Sequence, residues 1–215
     1  MGLGEMVTGL KKFRRKMLLR LFSKKVTGQV NQVLNDCRCD WFYDFGTLLG
    51  IVRDGRLIRW DREIDVGILN ADDAAVRSIL EEFKGKGAKR IVVKSFREKV
   101  SNVKFDLHGV GVDLHFYQKT SDGYCCFLTV RNEGEARYGE KHRLTVRLSY
   151  GDIKLFKDVS VAGVIMRIPL NAEEVLTQKY GENWRVPDPG WKTTQSPTIE
   201  ILTNEDIVTD SAAAS

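Results

Sequence analysis

Apolar residues return at helical spacing through the first part of the chain. Leu10, Phe13, Met17 and Leu21 step by three or four, and Leu18 and Phe22 widen the stripe. Residues 8–35 therefore read as one or two amphipathic helices, with Gly28 as the candidate break. The period then changes. Trp41-Phe42-Tyr43-Asp44-Phe45 reads as a buried strand feeding a Gly46-Thr47 turn; residues 47–53 form a short helical pattern, closed by an Asp54-Gly55 turn. Beyond it the chain alternates: Ile64, Val66 and Ile68 fall on one side of a strand and Asp61, Glu63 and Asp65 on the other.

A helix over 72–84 comes next, because Val76, Ile79, Leu80 and Phe83 sit at i, i+3, i+4 and i+7. Asn70 and Asp72-Asp73 supply its capping and N-terminal charge, and Gly85 and Gly87 end it. Strands are expected over 90–95, 103–108 and 111–117. In the last, Val112, Leu114 and Phe116 face one way and Asp113, His115 and Tyr117 the other. Further strand-like segments lie near 124–130, 144–149, 153–156 and 161–168. Asn171 caps a helix over 172–180 that ends at Gly181; 186–191, with two prolines, is an extended loop, and residues past 203 read as a frayed tail.

Composition narrows the class. At 215 residues, 42 % apolar and 29 % charged, the chain suits a soluble globular domain with a real core. No apolar run reaches the roughly 18 residues of a membrane span, and the basic N-terminus lacks the core of a signal peptide. Cys37, Cys39, Cys125 and Cys126 match neither a zinc site nor a redox pair, so reduced packing thiols in a cytoplasmic protein are expected. On a strand, Cys125 and Cys126 would face opposite ways. Charge is uneven: the first 25 residues carry eight basic side chains and one acid, leaving −2 for the rest against +5 for the whole. A mildly acidic domain with a basic arm argues against a broad nucleic-acid surface. The arm either packs its stripe on the domain or docks on an anionic membrane surface, the inner face for a cytoplasmic protein.

The acidic alternation carries the chemistry. Carboxylates at i and i+2 of one strand, with Asp113 from another, can hold Mg²⁺ (Mn²⁺ as the alternative) against phosphate oxygens. A metal pair of this kind clamps the entering and leaving oxygens of a phosphoryl transfer. Gly46 and Thr47, at a helix start, add free amides and a hydroxyl for phosphate. Solvated strand acids are the plainer reading of the same spacing.

The order of parts resembles the nucleotidyltransferase superfold, and one branch more closely. GTLLGIVRDGRLIRWDREID is similar to the LicD signature GTLLGxxRxGxxIPWDxDxD, and the likeness extends through VDLHF at 112–116 and LTQKYGENW at 176–184. It implies an α+β fold: a nucleotidyltransferase-like mixed β-sheet flanked by helices over 37–203, with a basic helical arm at 1–36 and a flexible tail at 204–215. It further implies transfer of a phospho-alcohol from a CDP-activated alcohol donor to a hydroxyl of a glycan acceptor. Glu63, Asp65 and Asp113 are then the expected catalytic residues and metal ligands, Asp113 also serving as base. Gly46, Thr47, Arg53, Asp61, Lys179 and Tyr180 are the expected substrate contacts. Trp184 and Trp191 are candidates for a sugar or base platform, and His115 for a hydrogen bond to the site or a place in the core. Arg59 stands where the family has Pro, and Glu63 where it has Asp. The second change puts a weak or scaffold-only relative beside the transferase reading, and transfer of NMP from an NTP to a small acceptor is the remaining alternative.

Overall fold

The computed structural model describes residues 3–37, 39–131, 143–153, 155–202 and 207–211. The molecule is mixed α+β, organised by one long strand. In chain order the elements are α1 (Leu3–Asp36), β1 (Asp40–Tyr43), α2 (Phe45–Leu49) running into a π turn (Gly50–Asp54), β2 (Glu63–Leu69), α3 (Asp73–Gly85), β3 (Lys89–Phe96), β4 (Lys99–Leu107) and β5 (Val110–Thr120). Then follow β6 (Gly123–Arg131), β7 (Arg143–Tyr150), β8 (Phe156–Val161), β9 (Val164–Pro169), α4 (Ala172–Tyr180), a 3₁₀ turn (Thr193–Gln195), β10 (Ile199–Leu202) and β11 (Val208–Ser211).

The central strand β5 is buried nearly throughout. Its first part lies between β2, parallel, and β4, antiparallel; its last three residues leave both and pair with β6. The sheet curls there and runs β10-β7-β6-β5-β4-β3-β11, with β2 and β1 branching from β5. The β2–β5 pair is parallel and every other pairing is antiparallel among the described residues. Ile64, Val66, Ile68, Val112, Leu114 and Phe116 are all buried, as their alternation required. Cys125 and Cys126 face opposite ways, Cys126 into the main core and Cys125 onto Phe96 and Phe127. All four cysteines are free thiols.

Four sequence expectations shift. The first helix runs unbroken through Gly28, where nothing crowds the backbone. Its core-facing side is the expected stripe only in part: Leu18 and Phe22 pack against the core beside the buried Leu19, Val26, Val30, Val33 and Leu34, whereas Phe13, Met17 and Leu21 are 66 %, 45 % and 67 % exposed. The side chain of Leu10 lies outside the described residues. The strand expected at 153–156 starts instead at Phe156, pairing with β9 in a separate hairpin. In the expected tail, Val208–Ser211 forms β11 on the edge of β3; residues 203–206 and 212–215 lie outside the described ones. Helix α1 is tied down by Tyr43, whose hydroxyl donates to Asn31 Oδ1, and by Asn31 Nδ2, which donates to Ile165 O.

Candidate active site

Sheet register builds the site. Asp65 on β2 lies directly across from Asp113 on β5, and Asp113 directly across from Lys104 on β4. Two residues on, His115 lies across from Asn102, and Asn102 across from Lys94 on β3. Residues opposite one another in neighbouring strands share a face, so both rows project from the same side. They line a cavity of about 1010 Å³, together with Gly46, Asp61, Arg62, Glu63, Arg143, Tyr180 and Trp191.

The start of α2 forms the adjoining wall. Asp44 N–H donates to Asp65 O, and Asp65 N–H donates to Thr47 Oγ1 at 2.9 Å, so helix and strand are stitched together beside the acids. A Cβ on Gly46 would meet Asp61 Oδ2 at 2.5 Å, so a side chain here would force the carboxylate to turn away. Phe45 takes a left-handed backbone (φ 43°) to reach this turn, a strained conformation of the kind that gathers at functional sites. The helix itself is short. Its N-cap is the Asp44 carboxylate, which already accepts from Phe45 N–H, so the dipole argument for phosphate at residues 46–47 loses most of its force.

Beneath the site lies a buried anchor. Lys179 and Asp44, both fully buried, form an ion pair; Tyr117 donates to Asp44 at 2.5 Å, and the Lys179 ammonium sits 3.6 Å from the Phe45 ring centre. His115 packs on the other flank, its ring 4.4 Å from Phe45.

Neighbouring charges push the carboxyls apart. Burial, then the charges of Glu63, Asp61 and Asp113, raises Asp65 well above the usual carboxylate range. Burial and Glu63 raise Asp61 to about 6. Burial would raise Asp113 too, but His115, Lys104 and the hydrogen bonds from Lys104 and Asn102 hold it below the usual value. Burial lowers His115 against the pull of Asp113, and Lys104 is the permanent cation paired with Asp113. Lys104 gains in turn: burial opposes its charge, and Asp113 and Glu63 outweigh that and raise it.

The expected site residues therefore separate. Asp65, Asp113, Glu63, Asp61, Gly46 and Tyr180 meet at the cavity. Glu63 stays partly exposed, its carboxylate 3.8 Å from Lys104 Nζ. Thr47 is buried and its oxygen is engaged by Asp65 N–H. Arg53 forms a two-bond pair with Asp54 and lines a neighbouring groove with Tyr180, Trp184 and Trp191. Lys179 lies below the cavity rather than on it. Of the platform candidates, Trp191 packs on Tyr180 at 4.4 Å at the cavity mouth, while Trp184 is buried and donates to Thr177. Asn102 and Lys104 were overlooked, although they alternate with Val103, Phe105 and Leu107 as the acids of β2 do with their core residues.

Among the described residues, Asp65, Asp113 and His115 bring their ligand atoms within 4.8 Å of one another. The His115 Nε2 is buried without a hydrogen-bond partner, 3.7 Å from Asp65 Oδ1 and 3.6 Å from Asp113 Oδ2. Two carboxylates and a neutral imidazole nitrogen with nothing else to bind are a donor set that fits a divalent cation. Among individual curated proteins, none matches the chain. The family model described as the LicD/FKTN/FKRP nucleotidyltransferase domain matches residues 38–171, more than half of the sequence and all the strands that carry these acids. The chain belongs to the LicD family.

Proposed function

We propose that the protein is a metal-dependent phosphotransferase with a nucleotidyltransferase-type fold. It moves a phospho-alcohol such as phosphocholine, ribitol phosphate or glycerol phosphate from a CDP-activated donor to a hydroxyl of a cell-surface glycan. The observation that carries this reading is the pairing of Asp65 and Asp113 across parallel strands on the floor of a cavity of about 1010 Å³, large enough for a nucleotide and part of a sugar. A divalent cation held by these two carboxylates and a third donor would neutralise the donor's phosphates.

The chain's own residues do the rest. Gly46 lets the Asp61 carboxylate sit against the backbone beside Asp65, and Lys104, Lys94 and Arg143 bring positive charge to the cavity lining. Positioning and charge are most of what phosphoryl transfer requires. Asp61, with its carboxyl raised to about 6, is better matched to accept the acceptor's proton near neutral pH than Asp113, which Lys104 holds ionised. Tyr180 and Trp191 form a platform for the base or the sugar at the mouth. The exposed Phe13–Met17–Leu21 stripe, on a helix rich in cations, is read as the contact to an anionic membrane surface on which the acceptor is presented.

The test is incubation with labelled CDP-choline, CDP-ribitol and CDP-glycerol, with and without a chelator. CMP release that needs metal and is lost in Asp65→Asn and Asp113→Asn is expected. Pyrophosphate release from an NTP instead would assign the protein to nucleotidyl transfer, and no metal-dependent nucleotide binding would mark it as a scaffold.

A further inference from the structure

Within this cavity the third donor is decided by register. Asp65 and Asp113 are directly opposed; the next side chain on that face of β5 is His115, and the preceding one on that face of β2 is Glu63. Glu63 lies one pleat toward the cavity rim, across from Gly111, and its carboxylate leans toward Lys104. Bonds of about 2.1 Å to one ion place its ligand atoms roughly 3.0 to 3.4 Å apart. The separations of His115 Nε2 from the two carboxylate oxygens, 3.7 and 3.6 Å, are a few tenths of an ångström wider. They are too long for hydrogen bonds and short enough to close around a shared ion, which would take the place beside Asp113 Oδ2 that the Lys104 ammonium holds. The imidazole is held for this by the Phe45 ring at 4.4 Å. Asn102 Nδ2 meets the other ring nitrogen, Nδ1, at 3.5 Å, which leaves Nε2 as the nitrogen that faces the two carboxylates.

We propose that Asp65, Asp113 and His115 are the ligands of one divalent ion, and that the imidazole tilts this site from Mg²⁺ toward Mn²⁺, Co²⁺ or Zn²⁺. Mg²⁺ favours an all-oxygen shell in octahedral array, whereas imidazole suits the transition ions. Glu63 is then not a ligand, so a Glu in place of the family's Asp has no metal distance to satisfy. The inference rests on the cavity being the metal-bearing site of the proposed transferase, but its test is binding and does not involve turnover.

The chelator-stripped full chain is titrated calorimetrically with Mn²⁺ and, separately, with Mg²⁺. Mn²⁺ should bind at least about tenfold more tightly. His115→Gln should weaken Mn²⁺ binding by about 10-fold or more, and Glu63→Gln should leave it within about twofold, with circular dichroism confirming that both variants fold. Pulsed electron paramagnetic resonance of the Mn²⁺-loaded wild type, which needs no variant, should show hyperfine coupling to a directly bound nitrogen. Absence of that coupling, or a Glu63→Gln loss as large as that of Asp65→Asn, overturns the assignment. Failure to turn over any CDP-alcohol would leave the metal result standing and count against the proposed function alone.

Discussion

Asp61 and Asp113 share one cavity and are driven in opposite directions by their surroundings. For Asp61, burial and Glu63 raise the folded-state carboxyl to about 6, against about 3.9 in the unfolded chain. The folded protein therefore holds this proton more tightly. Stability is unaffected by it below about 4, is lost as pH rises from about 4 to about 6, and levels off above. In chelator, Asp61→Asn should gain melting temperature over the wild type across that window and keep the gain at higher pH. A difference that is flat from pH 4 to 7 would show that Asp61 is not perturbed. The acids of β2 and β5 were legible in the sequence because strand alternation is local. The importance of Lys104 and Asn102 was not, because it depends on which residues of β4 face Asp113 and His115. Lys179, expected as a substrate contact, is instead buried for a related reason: its partner, Asp44, lies 135 residues earlier.

At the scale of elements, α1 has two apolar sides. Successive helix residues turn by about 100°, which places Phe13, Met17 and Leu21 nearly opposite Leu19, Val26, Val30 and Val33. One side enters the core and the other is left exposed. Periodicity alone found the stripe but could not say which side the sheet would take, since both are apolar. The exposed side, with the +7 charge of the first 25 residues, should bind vesicles containing anionic lipid and release them as salt is raised. Phe13→Asp combined with Leu21→Asp should abolish co-sedimentation while leaving the melting temperature unchanged. Equal binding to purely zwitterionic vesicles would contradict the electrostatic part. Helix α4, by contrast, was legible to the residue: Asn171 takes the N-cap position, though its side chain makes no capping hydrogen bond, and Gly181 stops the helix, and both signals are local.

Across the whole molecule, the family match ends at residue 171 but the fold does not. Val175 and Leu176 of α4 are buried in the main core, and Lys179 carries the cation opposite Asp44. The stable unit must therefore include α4. Lys179→Met should cost about 3–5 kcal/mol, because it leaves a buried carboxylate uncompensated. Pairing it with Asp44→Asn should recover much of that loss in urea unfolding. A single variant as stable as the wild type would mean that the pair contributes nothing to holding α4 against α2. The α+β class and the order of elements followed from local patterns and turn residues. The curl of β5 from one set of partners to another did not, since no local pattern marks where a strand changes neighbours.

The tilted contact of Trp191 with Tyr180 in the cavity lining has a practical consequence. Trp41 and Trp184 are buried away from the cavity, so Trp191 is the indole whose emission a base or sugar entering there would alter most directly. With Trp60, which lines the adjoining groove, replaced by Phe, the protein would report occupancy through its own fluorescence, without a label on either partner.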